Sequence, residues 1–133
     1  YRFRVFNKDT KEMAYISDYP SLLFEERGRW FAMNGDKLFC NYMNGILMRS
    51  TGCIGTHRAR DIFVGDICQN GIWDADSGRY NYRMEIVTEY EHGNGFPGLG
   101  SNRDGYTCEV IGNIYENPEL VKQCTPMSYS FIL

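Results

Sequence analysis

Asn-Gly pairs that interrupt short apolar segments are the feature that most restricts how this chain can fold. They occur at Asn34-Gly35, Asn44-Gly45 and Asn70-Gly71. Asn and Gly tolerate the positive φ angles that tight hairpin turns require. Each pair is flanked by apolar segments short enough to be single strands. The pattern therefore predicts a mainly β chain built from hairpins.

The stretch Leu47–Ile67 is predicted to connect an N-terminal hairpin region to a β-meander. Within it, Thr51-Gly52 should end a strand, and Gly55–Asp61 should form a polar loop. Ile62–Val64 should then resume a strand that Gly65-Asp66 bends. Asp66 suits this bend, because its carboxylate can accept a hydrogen bond from a backbone N–H two residues on.

Alternating side chains predict two further hairpins. Tyr1–Ile16 should pair around a turn, with Arg2 and Arg4 on a solvated face or, alternatively, on a contact patch. Ile72-Trp73 and residues 79–90 should pair around the polar segment 74–78. In the second hairpin, the even positions from Tyr80 to Ile86 share one face.

Two short helices are expected at the margins of the β structure. Pro20 suits the first turn of a helix over Leu22–Glu26. Asn117 and Pro118 similarly predict a helix that ends near Cys124, since Pro126 follows. Residues 91–105 form a long Gly-rich loop, which in a compact domain is either functional or mobile. The closing residues 129–133 are apolar and suit an edge strand or a subunit contact.

Charge and cysteine content limit the possible functions. Fourteen Lys and Arg against 17 Asp and Glu give a net charge of −3, which argues against nucleic-acid binding driven by bulk charge. Five cysteines occur without a Cys-x-x-Cys pair, so we expect reduced thiols in a cytosolic protein. No apolar run is long enough to span a membrane. No signal peptide is recognised, although the chain starts at Tyr1 rather than Met, so the N-terminus is not fully judged.

Three blocks of the sequence resemble the YopX family of phage and prophage proteins. Residues Phe3–Met13 are similar to the family's opening KFRAWDKENKKM. Leu47–Gly52, continued by Asp61–Ile67, is similar to its centre LMQ-TG…KEIYEGDIV, and Val110–Leu120 to its ending VIGNIYENPELL. The order and approximate spacing of the blocks also match, and together they span nearly the whole chain.

The resemblance implies a β-rich fold with a small SH3-like barrel, a phage origin and a cytoplasmic location in the bacterial host. It fits one domain over residues 1–133, with an N-terminal hairpin and helix layer (1–45) on a barrel portion (46–133). The family brings no established activity, so no catalytic residue is carried over. Two segments depart from the family pattern, the loop Gly55–Arg60 and the Gly-rich insertion 93–105.

Candidate nucleic-acid-binding residues fall in two groups. His57, Arg58 and Arg60 form a basic loop whose guanidinium groups could hold phosphate, although such loops are more often simply solvated. Trp73, Tyr80 and Tyr82 lie on neighbouring predicted strands and could stack single-stranded bases. The alternatives for these aromatics are ordinary packing or a homo-oligomer interface.

No pattern in the chain indicates catalysis, a metal or a cofactor. The segment Gly93–Gly98 fits G-x-G-x-x-G, but Pro97 prevents the helix that would hold a phosphate. The two histidines lack metal-ligand spacing, and no nucleophile-elbow motif occurs. Asp61 and Asp66 could form an acid–base pair, but turn capping explains Asp66 better.

We therefore expect a non-enzymatic phage accessory protein that acts by binding or self-assembly. Its expected partners are copies of itself or a phage or host protein. A small barrel that binds nucleic acid through the basic loop and the aromatics is the alternative. We expect no cofactor, no metal and no membrane association.

Overall fold

Strands dominate the structure, a computed structural model that describes residues 3–16, 22–55, 60–88 and 106–126. They are β1 (Phe3–Asn7), β2 (Glu12–Ile16), β3 (Leu22–Phe24), β4 (Trp30–Asn34), β5 (Lys37–Asn41), β6 (Gly45–Ile54), β7 (Asp61–Phe63), β8 (Asp66–Asp74), β9 (Arg79–Ile86), β10 (Tyr106–Asn113) and β11 (Thr125–Pro126). The helical elements in this described part are two 3₁₀ segments, Glu26–Gly28 and Pro118–Gln123. The antiparallel sheets are curled, and the mainly β fold class is confirmed.

Two compact units divide the chain, Tyr1–Ser50 and Thr51–Leu133. The expected organisation, a single domain with an N-terminal layer 1–45 on a barrel portion 46–133, stays a prediction. The Gly-rich loop and the apolar C-terminal residues 129–133 lie outside the described residues. Each unit is therefore described by itself below.

In the first unit, β1 is paired on both sides, with β2 and with β6. Its residues from Arg4 to Asn7 are consecutively buried, so both faces of the strand are covered. Arg4 is 0% exposed, and the prediction of a solvated face for it is wrong. The alternating pattern of the segment fits an edge strand, whereas the central place of β1 in the sheet comes from pairing with the distant β6.

A second sheet in this unit has the order β3-β4-β5. The hairpin predicted around Asn34-Gly35-Asp36 joins β4 to β5, and Gly35 is at φ +64°. Asn34 still pairs with Lys37, so the two turn residues are Gly35 and Asp36 and not Asn34 and Gly35. The helix expected over Leu22–Glu26 is wrong, because residues 22–24 pair with β4 instead. The buried core of the unit is apolar and consists of Val5, Ile16, Trp30, Ala32 and Cys40.

Strand β6 continues past Thr51-Gly52, where the sequence predicted its end. Gly52 adopts φ +78° within the strand. The Thr51 hydroxyl donates to the Ile62 carbonyl at 2.7 Å and accepts from the Cys53 N–H at 3.1 Å. The Thr-Gly pair therefore shapes a local irregularity in the strand rather than a chain reversal.

The second unit contains the sheet β10-β8-β9-β11, in which β8 and β9 form a long hairpin around residues 75–78. This hairpin was predicted, but the turn expected at Asn70-Gly71 is wrong. Both residues lie inside β8, paired with Arg83 and Tyr82 of β9. Pairing of β8 with β9 along their full length outweighs the local turn propensity of Asn70-Gly71.

Asp66 organises the corner that precedes β8. Its side chain accepts a hydrogen bond from the Phe63 N–H at 2.8 Å, so it caps the turn backwards and not two residues on as predicted. Gly65 adopts φ +92°. Its N–H donates to the Val87 carbonyl at 2.9 Å, and its carbonyl accepts from the Ile114 N–H at 2.9 Å. One corner thus connects three separate parts of the unit.

The predicted C-terminal helix is present as the 3₁₀ segment Pro118–Gln123. Asn117 does not cap it through its side chain. Instead, the Asn117 Oδ1 atom accepts from the Asn113 N–H at 3.1 Å. Pro118 lies at the start of the helix as predicted, whereas Asn117 accepts a hydrogen bond from Asn113 instead of capping the helix.

Candidate functional site

An exposed line of rings on the β8–β9 hairpin is the strongest candidate surface of the second unit. We call Trp73, Tyr80 and Tyr82 the aromatic row. Trp73 lies directly opposite Tyr80 in the strand register, and their ring centroids are 5.2 Å apart in an edge-to-face arrangement. The Tyr80 and Tyr82 rings follow at 5.8 Å. The structure therefore brings together all three aromatic residues that the sequence singled out.

The aromatic row faces solvent rather than the core. Trp73 is 46% exposed and Tyr82 is 58% exposed. Tyr80, between them, is half-buried. Core packing is therefore not what holds these rings, although the cross-strand contact between Trp73 and Tyr80 is real packing.

Gly71 positions one end of the row, a role that sequence reasoning missed because Asn70-Gly71 resembled a turn. It lies opposite Tyr82 in the register. A Cβ atom at Gly71 would come within 2.8 Å of the Tyr82 ring and 2.7 Å of the Thr107 hydroxyl. The missing side chain thus lets the Tyr82 ring lie flat over the sheet, as aromatic side chains do opposite glycine in strands.

Charges of both signs surround the hairpin tip. Asp74 lies opposite Arg79 at the end of the ladder, and Arg83 is exposed further along β9. The Ser77 hydroxyl donates to the Asp74 carboxylate at 3.0 Å, and the Asp76 N–H donates at 2.9 Å. These bonds lower the pKa of Asp74, so this carboxylate is ionised at neutral pH. The tip is therefore not a uniformly basic surface.

The predicted basic loop is only partly within the described residues, because His57 and Arg58 lie outside them. Arg60 is exposed next to β7, and its carbonyl accepts a hydrogen bond from the Gly55 N–H at 2.9 Å. Its guanidinium makes no ring contact with the aromatic row. A joint nucleic-acid site of loop and aromatics stays a prediction.

Beneath the sheet, the interior of the second unit contains polar side chains and thiols. Cys68, Cys108, Asn70 and Glu85 are all 0% exposed, and the Asn70 amide lies 3.5 Å from the Glu85 carboxylate. A hydrogen bond with Cys108 and burial raise the pKa of the Cys68 thiol far above its usual value. Such a neutral, enclosed thiol is a poor nucleophile. Within the described residues, no group of three His, Cys, Asp or Glu side chains is placed to hold a metal ion.

A second candidate surface lies in the first unit, in the loop that joins β3 to β4. We call residues 25–29 the charged loop, since Glu25, Glu26, Arg27 and Arg29 fill four of its five positions. With Phe24 they line an open depression of about 580 Å³. The loop has a defined shape, because the Glu25 N–H donates to the Arg29 carbonyl at 2.8 Å. The sequence predicted a helix over Leu22–Glu26, which overlaps this loop, and therefore did not indicate the surface.

Phe24 projects strongly at the edge of this depression. It is 61% exposed, and its neighbour Leu23 is 49% exposed. The inner side of the Phe24 ring meets the Phe3 ring edge-to-face, with centroids 6.4 Å apart. The ring is therefore supported from below while most of its surface faces solvent.

The described part of the chain contains no helix long and apolar enough to cross a membrane.

Comparison with known proteins gives a family and a fold. The family described as YopX protein matches residues 2–122. Among curated proteins, none matches the chain.

Two solved structures are similar over most of the chain. Protein yopX from Bacillus subtilis has a TM-score of 0.61 and 21% identity, covering 90% of this chain and 97% of that one. Protein EF1440 from Enterococcus faecalis has a TM-score of 0.50 and 23% identity, covering 90% of this chain and 96% of that one. At these identities the chains are different proteins, and the likeness shows a shared fold.

Proposed function

The chain belongs to the YopX protein family, and from this premise we propose that it is a phage or prophage accessory protein that acts by binding or self-assembly rather than by catalysis. The observation that carries the proposal is the exposure of large apolar side chains on both units. They include Leu23, Phe24, Leu38 and Met43 in the first unit and Ile72, Trp73 and Tyr82 in the second. Exposed apolar groups of this size favour contact with another macromolecule.

Copies of the same chain are the first partner that we propose. Tyr, Trp, Phe and Met are enriched in the cores of protein interfaces, where Lys and Glu are depleted. Six of the exposed large apolar side chains of this protein are of these enriched types, namely Tyr15, Phe24, Tyr42, Met43, Trp73 and Tyr82. Size-exclusion chromatography with multi-angle light scattering tests the proposal. We expect a mass above 15.4 kDa that rises with concentration, whereas a strict monomer at high concentration would contradict self-assembly.

A phage or host protein is the other proposed partner. The five cysteines are free thiols, which supports a reducing, cytoplasmic location in the bacterium. A pull-down from lysogenic cells, repeated with Trp73→Ala and Phe24→Ser baits, tests this partner. We expect a specific partner to be lost with one of the two variants. If both variants still captured the partner, neither the Trp73 surface nor the Phe24 surface would be the binding site.

Binding of single-stranded nucleic acid is a second candidate function, which the aromatic row favours. Bases can stack on exposed rings without sequence preference, and removal of one ring costs roughly 1–3 kcal/mol. The rings contact one another at 5.2 and 5.8 Å. Bases would therefore lie on their outward faces and not between them.

Fluorescence anisotropy with a labelled single strand at low salt tests this candidate. We expect Trp73→Ala and Tyr82→Ala to weaken binding, and Arg60→Ala to weaken it and reduce its salt dependence. Ile72→Ala is the matched control, since Ile72 is also exposed (43%) but points to the opposite face of β8. Equal effects of Ile72→Ala and Trp73→Ala, or no binding at low salt, would reject nucleic acid as the ligand.

A further inference from the structure

The charged loop of the first unit combines both signs of charge around an exposed ring. Two carboxylates, Glu25 and Glu26, precede two guanidiniums, Arg27 and Arg29. All of them are exposed. Opposite charges so close in sequence could neutralise one another. Yet none of these four side chains forms an ion pair with a residue in the described part of the chain.

The charges of the loop lie around a tight backbone turn. Arg27 and Gly28 adopt φ +66° and +75°, so the chain reverses there, after Glu25 and Glu26 and before Arg29. We call Glu25 and Glu26 the acidic half of the loop, and Arg27 and Arg29 its basic half. The hydrogen bond from the Glu25 N–H to the Arg29 carbonyl fixes this reversal. A loop fixed in advance loses little conformational entropy when it binds. The backbone positions from which the charged side chains project are therefore fixed before a partner binds.

This arrangement selects among possible partners. The patch has no net charge, so a strongly acidic or strongly basic partner would gain on one half and lose on the other. A second copy turned by a two-fold axis can place its acidic half against the basic half of the first. Two-fold interfaces use the same surface on both chains and must be self-complementary in this way.

The surface combines a projecting ring with a depression. Phe24 projects beside an open depression of about 580 Å³ that it lines together with the charged loop. Such a depression has room for a phenyl ring from another chain. Around a two-fold axis, each Phe24 would enter the depression of the other copy, and its partly buried inner side would keep its contact with Phe3.

We propose that Phe24 and the charged loop form an isologous contact between two copies of this chain, with Phe24 near the two-fold axis and acidic halves facing basic halves. The inference rests on the proposed self-assembly and gives it a location. Five residues from each copy are fewer than the roughly 20–30 a side of a stable interface. The contact is therefore weak unless further surfaces join it.

Charge exchange between two variants provides the sharpest test. One variant carries Glu25→Arg and Glu26→Arg, the other Arg27→Glu and Arg29→Glu. Each alone would oppose like charges across the axis, so we expect its self-association to weaken by at least about tenfold. An equimolar mixture restores opposite charges, and we expect association within about threefold of the original chain. Sedimentation velocity over a concentration series measures all three samples.

Two further variants separate this contact from general effects. Phe24→Ser should weaken association without changing the charge pattern. Exchanging the exposed charges at the opposite end of β4, with Asp36→Lys and Lys37→Asp, is the matched control and should leave association unchanged. Circular dichroism melting curves check that every variant is folded.

The outcomes distinguish this inference from the proposal on which it rests. If the original chain associates but neither charge variant changes it, the location is wrong while self-assembly stands. If the original chain stays a monomer up to the highest soluble concentration, both are wrong. If each charge variant bound a different protein but not its counterpart variant, that protein would be the occupant of this surface instead of a second copy.

Discussion

The two tryptophans show how differently the two units use the same side chain. Trp30, in the first unit, is 8% exposed and belongs to an apolar core with Val5 and Ala32. Trp73, in the second unit, is 46% exposed and contacts Tyr80 on the solvent side of a sheet. Both lie on strands, and both have a cross-strand aromatic or apolar neighbour.

The difference lies in what covers each sheet. In the first unit, two sheets supply residues to one apolar cluster, so the large ring is enclosed. In the second unit, the buried apolar cluster consists of the smaller side chains Ile62, Cys68, Val87 and Cys108, and the largest rings of the hairpin are on the other face. A core is filled by what fits between its layers, whereas rings outside it are available for binding.

Replacing each tryptophan by alanine gives the largest expected contrast. Trp30→Ala should lower the free energy of unfolding by about 3–5 kcal/mol, because it leaves a cavity among buried residues. Trp73→Ala should lower it by less than about 1 kcal/mol, since the ring is half solvated. Guanidinium denaturation followed by circular dichroism measures both. Equal losses would show that the aromatic row is a structural element and not a free surface.

Removing the corner carboxylate of the second unit should have the next largest effect. Asp66→Ala deletes the acceptor for the Phe63 N–H, which is buried, so we expect a loss of about 1.5–3 kcal/mol. Asn7→Ala is the counterpart in the first unit, where the Asn7 side chain donates to the Phe39 carbonyl at 2.8 Å and accepts from the Asp9 and Thr10 N–H groups at 2.9 and 3.2 Å. Asp9 and Thr10 are exposed, so water can replace the lost acceptor, and neutral hydrogen bonds are weaker than those of a carboxylate. A smaller loss of about 1 kcal/mol is therefore expected.

The same denaturation experiment checks both corner variants. A greater loss for Asn7→Ala than for Asp66→Ala would contradict the central place of Asp66 in its unit. Asp66→Asn is a useful intermediate, because the amide keeps one acceptor oxygen without the charge.

Adding a single methyl group to a glycine tests how firmly each unit holds its aromatic ring. A Cβ at Gly45 would lie 2.6 Å from the Trp30 ring, 2.7 Å from the Cys40 sulfur and 2.9 Å from the Asn41 carbonyl. These atoms are enclosed or part of the backbone, so Gly45→Ala should cost about 1–3 kcal/mol.

Gly71→Ala should affect stability less, because the Tyr82 ring can move outward into solvent. Its readout is optical: near-ultraviolet circular dichroism should change as Tyr82 loses its fixed place beside Tyr80. An unchanged aromatic spectrum would mean that Gly71 does not position the row. A loss of stability as large as that of Gly45→Ala would mean that the row is rigidly held.

The last expected effect is absent at neutral pH and develops only as the pH rises above 9.0. Contact with Cys108 and burial raise the pKa of Cys68, and burial raises that of Cys40. The unfolded chain therefore releases these protons first. The contribution of each thiol is complete below the ordinary value of 9.0 and is lost as the pH rises above it, by at most about 1.4 kcal/mol per pH unit.

Denaturation curves from pH 7 to 10.5 for the original chain, Cys68→Ala and Cys40→Ala isolate these contributions. The original chain should lose stability above pH 9, and Cys68→Ala should lose less. Because Cys40 is affected by burial alone, its variant should resemble the original chain more closely. Equal slopes for all three would exclude the thiols as the cause.

Local sequence determined the parts of the fold that depend on a few adjacent residues. The hairpin at Asn34-Gly35, the bend at Gly65-Asp66 and the alternating face of Tyr80 and Tyr82 are present as predicted. Each follows from backbone geometry or from the two-residue period of a strand. The family resemblance likewise rests on local blocks, and the match over residues 2–122 confirms it.

Tertiary structure decided wherever a distant strand competes with local preference. Segment 3–7 is a central strand because β6 pairs with β1, and Asn70-Gly71 lies in a strand because β9 pairs with β8. Leu22–Phe24 joins β4 instead of forming a short helix. A helix of barely two turns has little stability of its own, and pairing with a strand satisfies the same backbone groups while burying apolar surface. The charged loop and the aromatic row therefore become surfaces only once these pairings have formed.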